Sequence, residues 1–139
     1  MSAVSKKFNT GRIKFTFKDE NDEVFSSFKM NPTDANLIAR LEEVSEYFEK
    51  RKNEISEISS GKDAAKYNRE IEDKINYILG YDASKEVFGE ITATTISPEG
   101  EIFGMVLLDF IAEKLKPEIE KRKKSMNASI DKYTKKYES

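Results

Sequence analysis

"RIKFTFKDENDEVFSSFKM", residues 12–30, decides the fold class. Ile13, Phe15 and Phe17 alternate with Lys14, Thr16 and Lys18, so one face is apolar and the other polar. "DENDE" reads as a polar turn, and Val24, Phe28 and Met30 mark one face of the segment that follows. Period two on both sides of a charged turn predicts a β-hairpin with its tip in water. A hairpin of two strands is marginal alone in water, so it must pack on helices or pair with the edge of another chain. Helical periodicity dominates the rest. The expected fold is therefore mainly α (α+β), an amino-terminal hairpin packed on a bundle of three to four helices.

Downstream, "NPTDANLIARLEE" starts a helix: Asn31 or Thr33 can cap, Pro32 suits the first helical position, and Asp34 favours the positive end of the dipole. Leu37, Leu41, Val44, Phe48, Ile55 and Ile58 hold one face, interrupted by Arg51, and "SSG" at 59–61 ends the helix. A second helix is expected over about 63–79, burying Tyr67, Ile71, Ile75, Ile78 and Leu79, with Gly80 as its left-handed stop.

"ILGYDASKEVFG", residues 78–89, then joins two helical blocks. Asp82 or Ser84 can cap a short helical turn that Gly89 closes, with Tyr81 and Phe88 plugging the gap between the helices. "EITATTI" reads as a loop or short extended segment. "SPEGEIF" restarts a helix with Ser97 as cap and Pro98 at its first position. The third helix is the most apolar, through Ile102, Phe103, Val106, Leu107, Phe110, Ile111 and Leu115, and Pro117 should end or kink it. Beyond it, Ile119, Met126, Ile130, Tyr133 and Tyr137 form a thin stripe on a terminal helix that needs a partner surface. The expected organisation is a flexible lead-in (1–12), a hairpin plus helical domain (13–117) and an amphipathic basic terminal helix (118–139).

Charged residues make up 36% of the chain against 37% hydrophobic, well above the roughly 25% charged share of ordinary domains. Long helices projecting into solvent would supply such a surplus, and so would a small body with extended arms. A net charge of −2 and a pI near 5.4 argue against a protein built around nucleic-acid binding. Absence of cysteine excludes disulfides and thiolate chemistry, so a reducing cytoplasm is the expected setting. No apolar segment of signal-peptide length opens the chain, and the most apolar run, residues 102–112, is too short for a bilayer and contains Asp109. No membrane association is expected.

Candidate chemistry is sparse. Without His or Cys, neither a Ser–His nor a Cys–His arrangement is available, and no enzymatic activity is expected. "DENDEV" fails as a calcium loop because its sixth and twelfth positions are Val24 and Met30 rather than Gly and Glu. "SSGKD" lacks the first glycine of a phosphate loop. No cofactor or metal is expected. Residues 118–139 carry seven basic and four acidic side chains. That pattern suits a solvated helix or an acidic protein partner better than nucleic acid, since no stacking platform accompanies it.

Taken in order, the hairpin, the "NPTD" start, Leu79-Gly80-x-Asp82-x-Ser84-x-x-x-Phe88-Gly89 and the apolar helix after "SPEGEIF" resemble the small tail assembly chaperones of long-tailed phages and prophages of Gram-positive bacteria. The resemblance spans roughly residues 13–117. It implies a small, mostly helical, non-catalytic protein that self-associates and coats the tape-measure protein until tail-tube subunits polymerise around it. The tape-measure protein is thus the expected partner, with the tail-tube protein as a further one, in the host cytoplasm. Tyr81, Phe88, Phe103, Leu107, Phe110 and Ile111 are the expected partner-binding residues. Phe15, Phe17, Phe25, Phe28, Ile130, Tyr133 and Tyr137 are the expected self-association residues. A structural tail or connector subunit and a small nucleic-acid-binding regulator are the alternatives.

Overall fold

The computed structural model describes residues 3–57 and 60–137. Strands β1 (Ile13–Lys18) and β2 (Val24–Met30) form the hairpin, followed by α1 (Ala35–Ser56), α2 (Gly61–Leu79), α3 (Ser84–Phe88) and α4 (Phe103–Tyr137). Among the described residues the fold is the expected α+β arrangement of an amino-terminal antiparallel hairpin and four helices.

Pairing runs from Ile13 opposite Met30 through Phe15 opposite Phe28 to Phe17 opposite Ser26, then slips so that Lys18 faces Val24. Phe25 is the extra residue of a β-bulge. The slip corrects one expectation: Val24 does not share the buried face of Phe28 and Met30 but is 53% exposed. Phe25 turns inward in its place and meets Phe103 at 5.4 Å.

The hairpin is held to the helices by phenylalanines. Phe15 stacks on Phe28 at 5.5 Å and meets Phe110 edge-on at 5.8 Å. Phe17 lies edge-on to Phe103 and Phe110, at 5.3 and 5.1 Å. Phe88 of α3 reaches Phe103 at 5.9 Å. Each such pair adds about 0.5–1.5 kcal/mol beyond its burial, which answers the marginal stability of a lone hairpin. The core continues through Val44 and Phe48 of α1, Ile71, Ile75 and Ile78 of α2, and Leu107, Ile111 and Leu115 of α4.

Helix ends follow local chemistry with four departures. Asp34, not Asn31 or Thr33, caps α1 by accepting from the Asn36 N–H at 2.9 Å, while Asn31 holds the preceding turn through Thr33. Gly80 stops α2 as expected, at φ +83°, its N–H donating to the Asn76 carbonyl at 2.8 Å. Neither Asp82 nor Ser84 occupies the cap of α3; that residue is Ala83, whose N–H donates to Asn76 Oδ1 at 2.8 Å. A side chain from α2 thus organises the joint, which no local signal announces.

"SPEG" is a turn rather than a helix start. Gly100 N–H donates to the Ser97 carbonyl at 2.9 Å, Gly100 has φ +87°, and Ile96 bridges Ile102. Pro second and Gly fourth are also the signature of a β-turn, and the flanking bridge selects that outcome. The helix then starts at Phe103, its first N–H groups satisfied by the carbonyls of Thr95 and Ala93. Gly104 allows this approach: a Cβ there would lie 2.7 Å from Ile71 Cγ2 and 3.0 Å from the Ala93 oxygen.

Pro117 does not end the helix. α4 runs 35 residues through it, so the apolar third helix and the basic terminal helix are one element. Proline removes its own N–H and displaces the bond to the carbonyl four residues earlier. Here both Pro117 and Glu113 are exposed, so water can take that carbonyl. The described part of α1 ends at Ser56, and Ile58, expected on its stripe, lies outside the described residues.

Candidate functional site

Joint residues 78–89 separate into two roles. Phe88 is 2% exposed and belongs to the core. Tyr81 does not plug the gap between helices: it is 46% exposed, and its hydroxyl donates to Glu86 at 2.8 Å. Its phenol pKa is raised by partial burial and by that bond. Ala83 and Val87 of the joint are buried, where Tyr81 is not.

Among the other expected partner-binding residues, Leu107 and Ile111 are buried in the core. Phe103 and Phe110 are half-buried beneath the hairpin phenylalanines. The expected groove along α4 and the joint is thus occupied by the chain's own hairpin. Phe15 and Phe28, expected at a subunit contact, are likewise core residues, and Phe17 and Phe25 are partly buried against Phe103. Ile130 is 51% exposed on α4. Tyr133 and Tyr137 fall on the same helix, and their side chains lie outside the described residues.

Two open depressions stand out among the described residues. The larger, about 950 Å³, lies between the hairpin tip and the segment 89–101. Phe17, Val24, Phe25, Ile96, Phe103 and Val106 give it apolar walls. Around them stand Asp19, Glu20, Glu23, Glu90, Glu99 and Glu101, with Lys18 the one cation among the described residues lining it. Val24 and Ile96 are 53% and 59% exposed. Sequence patterning pointed to neither residue, because the bulge and the 97–100 turn created both exposures.

The smaller depression, about 520 Å³, runs between α1 and α4. Ile38, Leu41, Ala112, Leu115 and Ile119 line it, and Glu42, Glu46, Lys116, Glu120 and Lys123 flank it with both signs of charge. Such a trough, apolar within and mixed in charge at its margins, matches one face of an amphipathic helix.

A polar cluster fastens α1 to α2 behind these surfaces. Tyr47 donates a hydrogen bond to Glu70, and Arg51 reaches Glu70 Oε2 and the Tyr47 hydroxyl, each at 3.1 Å. The Arg51 guanidinium also lies over the rings of Tyr47 and Tyr67, at 5.4 and 5.7 Å. The Tyr47 pKa is raised, first by the bond to Glu70 and then by burial. Arg51, the charge that interrupted the apolar stripe of α1, is the residue that makes this link.

Searches of protein-family models, curated proteins and solved structures yield no match to this chain.

Proposed function

We propose that this protein is a non-enzymatic phage tail assembly chaperone that binds the tape-measure protein in the trough between α1 and α4. The reading rests on the sequence resemblance. The observation that carries it is that trough: an open apolar channel between two long helices, bordered by both charges. A long helical partner burying one face there and leaving its charged face in water would be kept soluble. The assignment moves the partner surface away from Phe88, Leu107 and Ile111, which the core already uses.

The test is co-expression with a tape-measure protein, scoring the fraction that remains soluble and co-purifies. Ala112, exposed in the trough, can be replaced by Arg without disturbing the core. The expected result is a soluble complex with the native chain and loss of that complex with Ala112→Arg. A tape-measure protein that stays insoluble with the native chain, or binding unaffected by the substitution, overturns the reading.

A further inference from the structure

The two ends of α4 carry opposite properties. At its start, Phe103 and Val106 line the cleft with the acidic rim. At its far end, residues 121–136 hold seven basic side chains and a single acidic one, Asp131. Among the described residues, Arg122 is the last of these tied to the body, donating to the Gly11 carbonyl at 2.7 Å and to Glu118 at 2.9 Å. From 123 to 132 every residue is exposed. Met126 and Ile130, 52% and 51% exposed, sit one turn apart on this projecting arm, and Tyr133 and Tyr137 continue the same spacing. Met126 and Ile130 thus lie exposed on a helix whose sequence carries lysine or arginine around most of the remaining circumference.

We propose that the occupant of the acid-rimmed cleft is the basic arm of a second copy of this chain, joined head to tail. Charge complementarity selects the occupant: six carboxylates border an apolar cleft, and the arm offers lysines around an apolar stripe. Intramolecular closure is excluded by geometry. Ile130 lies 27 positions beyond Phe103 on one continuous helix, about 40 Å at ~1.5 Å per residue. The arm therefore cannot reach its own cleft without breaking α4. Joined head to tail, the contact is heterologous and propagates into a ring or an open filament, whereas two copies that exchanged arms reciprocally would close as a two-fold dimer. This inference does not depend on what occupies the α1–α4 trough.

The test uses the full chain and two charge-reversed variants, with circular dichroism to confirm helix content. Lys124→Glu with Lys132→Glu alters the arm; Glu90→Lys with Glu99→Lys alters the cleft. Sedimentation equilibrium is expected to show native assemblies that shift toward monomer as ionic strength rises from about 0.05 to 0.5 M. Each variant alone should self-associate at least about tenfold more weakly. Mixed together, they should form a heterodimer, since the native arm of the cleft variant meets the native cleft of the arm variant. A two-fold symmetric contact through any one surface would not give that rescue.

A native chain that remains monomeric at about millimolar concentration overturns the proposal. So does assembly indifferent to both pairs of substitutions, or a variant mixture that stays monomeric although both proteins are folded. Salt-sensitive binding of duplex DNA by a monomeric chain, lost in the arm variant, would assign the arm to nucleic acid instead and overturn it too.

Discussion

Gly89 lies so close to Phe25 that a Cβ added to the glycine would sit 2.4 Å from the Phe25 carbonyl oxygen. Its backbone, at φ +60° and ψ −124°, is one that side-chain-bearing residues rarely adopt. The exit from α3 is therefore seated against the bulge that turns Phe25 inward. Gly89→Ala is expected to destabilise the fold by more than about 2 kcal/mol, combining strain with the backbone clash. Gly100→Ala is the control: φ is also positive, at +87°, yet nothing lies within 4 Å of an added Cβ. It should cost only about 1–2 kcal/mol. Urea unfolding of both variants measures the difference.

Phe88 and Tyr81, seven positions apart in the joint, should respond in opposite ways to truncation. Phe88→Ala removes a ring that is 2% exposed and should cost about 3–5 kcal/mol. Tyr81→Ala removes an exposed phenol and one surface hydrogen bond, for a loss of less than about 1 kcal/mol. Equal losses in chemical denaturation would contradict the division of the joint into core and surface.

Ser26 is 1% exposed and its hydroxyl has no hydrogen-bond partner within the described residues. A buried hydroxyl without a partner carries a desolvation cost of about 1–3 kcal/mol. Ser26→Ala should therefore leave stability unchanged or raise the melting temperature, despite changing a residue in the centre of β2.

Tyr47 supplies a pH dependence. Its folded-state pKa is raised above the ordinary tyrosine value by the hydrogen bond to Glu70 and by burial. The folded state thus holds the phenolic proton more tightly than the unfolded chain does. The resulting stability is fully present below the unfolded pKa of about 10 and is lost as pH rises through the higher folded value. Tyr47→Phe should flatten the alkaline loss of stability measured by thermal melts above about pH 10.

Pro117 sits within α4 although proline is the least favourable helix residue, by about 3 kcal/mol relative to alanine in an interior position. Exposure of Pro117 and Glu113 reduces that penalty without abolishing it. Pro117→Ala is expected to stabilise the protein by about 1 kcal/mol or more and to increase helical ellipticity.

Elements whose causes are local were legible in the sequence. Alternation gave the hairpin, and the Ile71–Ile75–Ile78 spacing with Gly80 gave α2 and its end. What escaped depended on partners outside the segment concerned. The bulge at Phe25 answers to Gly89, the start of α3 to Asn76, and the "SPEG" turn to the Ile96–Ile102 bridge. "SPEG" satisfies helix-start and turn rules alike, so composition could not decide between them. Aromatic character marked Phe88 and Tyr81 equally, but only packing distinguishes a core ring from a surface phenol. The acid-rimmed cleft joins residues 17–25 to residues 89–106, and periodicity within either segment contains no trace of the meeting.

Continuity of α4 across Pro117 has a consequence for angular phase. Every residue along an α-helix is rotated by about 100° from the one before it. The body fixes the orientation at Leu107, Ile111 and Leu115, so it also fixes the compass bearing of Met126 and Ile130, which lie beyond the Arg122 tie. One residue inserted after Arg122 would swing that apolar stripe by about 100° while leaving the core and the Arg122 tie to Gly11 in place. Four inserted residues would advance it by about one turn and bring it nearly back to its bearing.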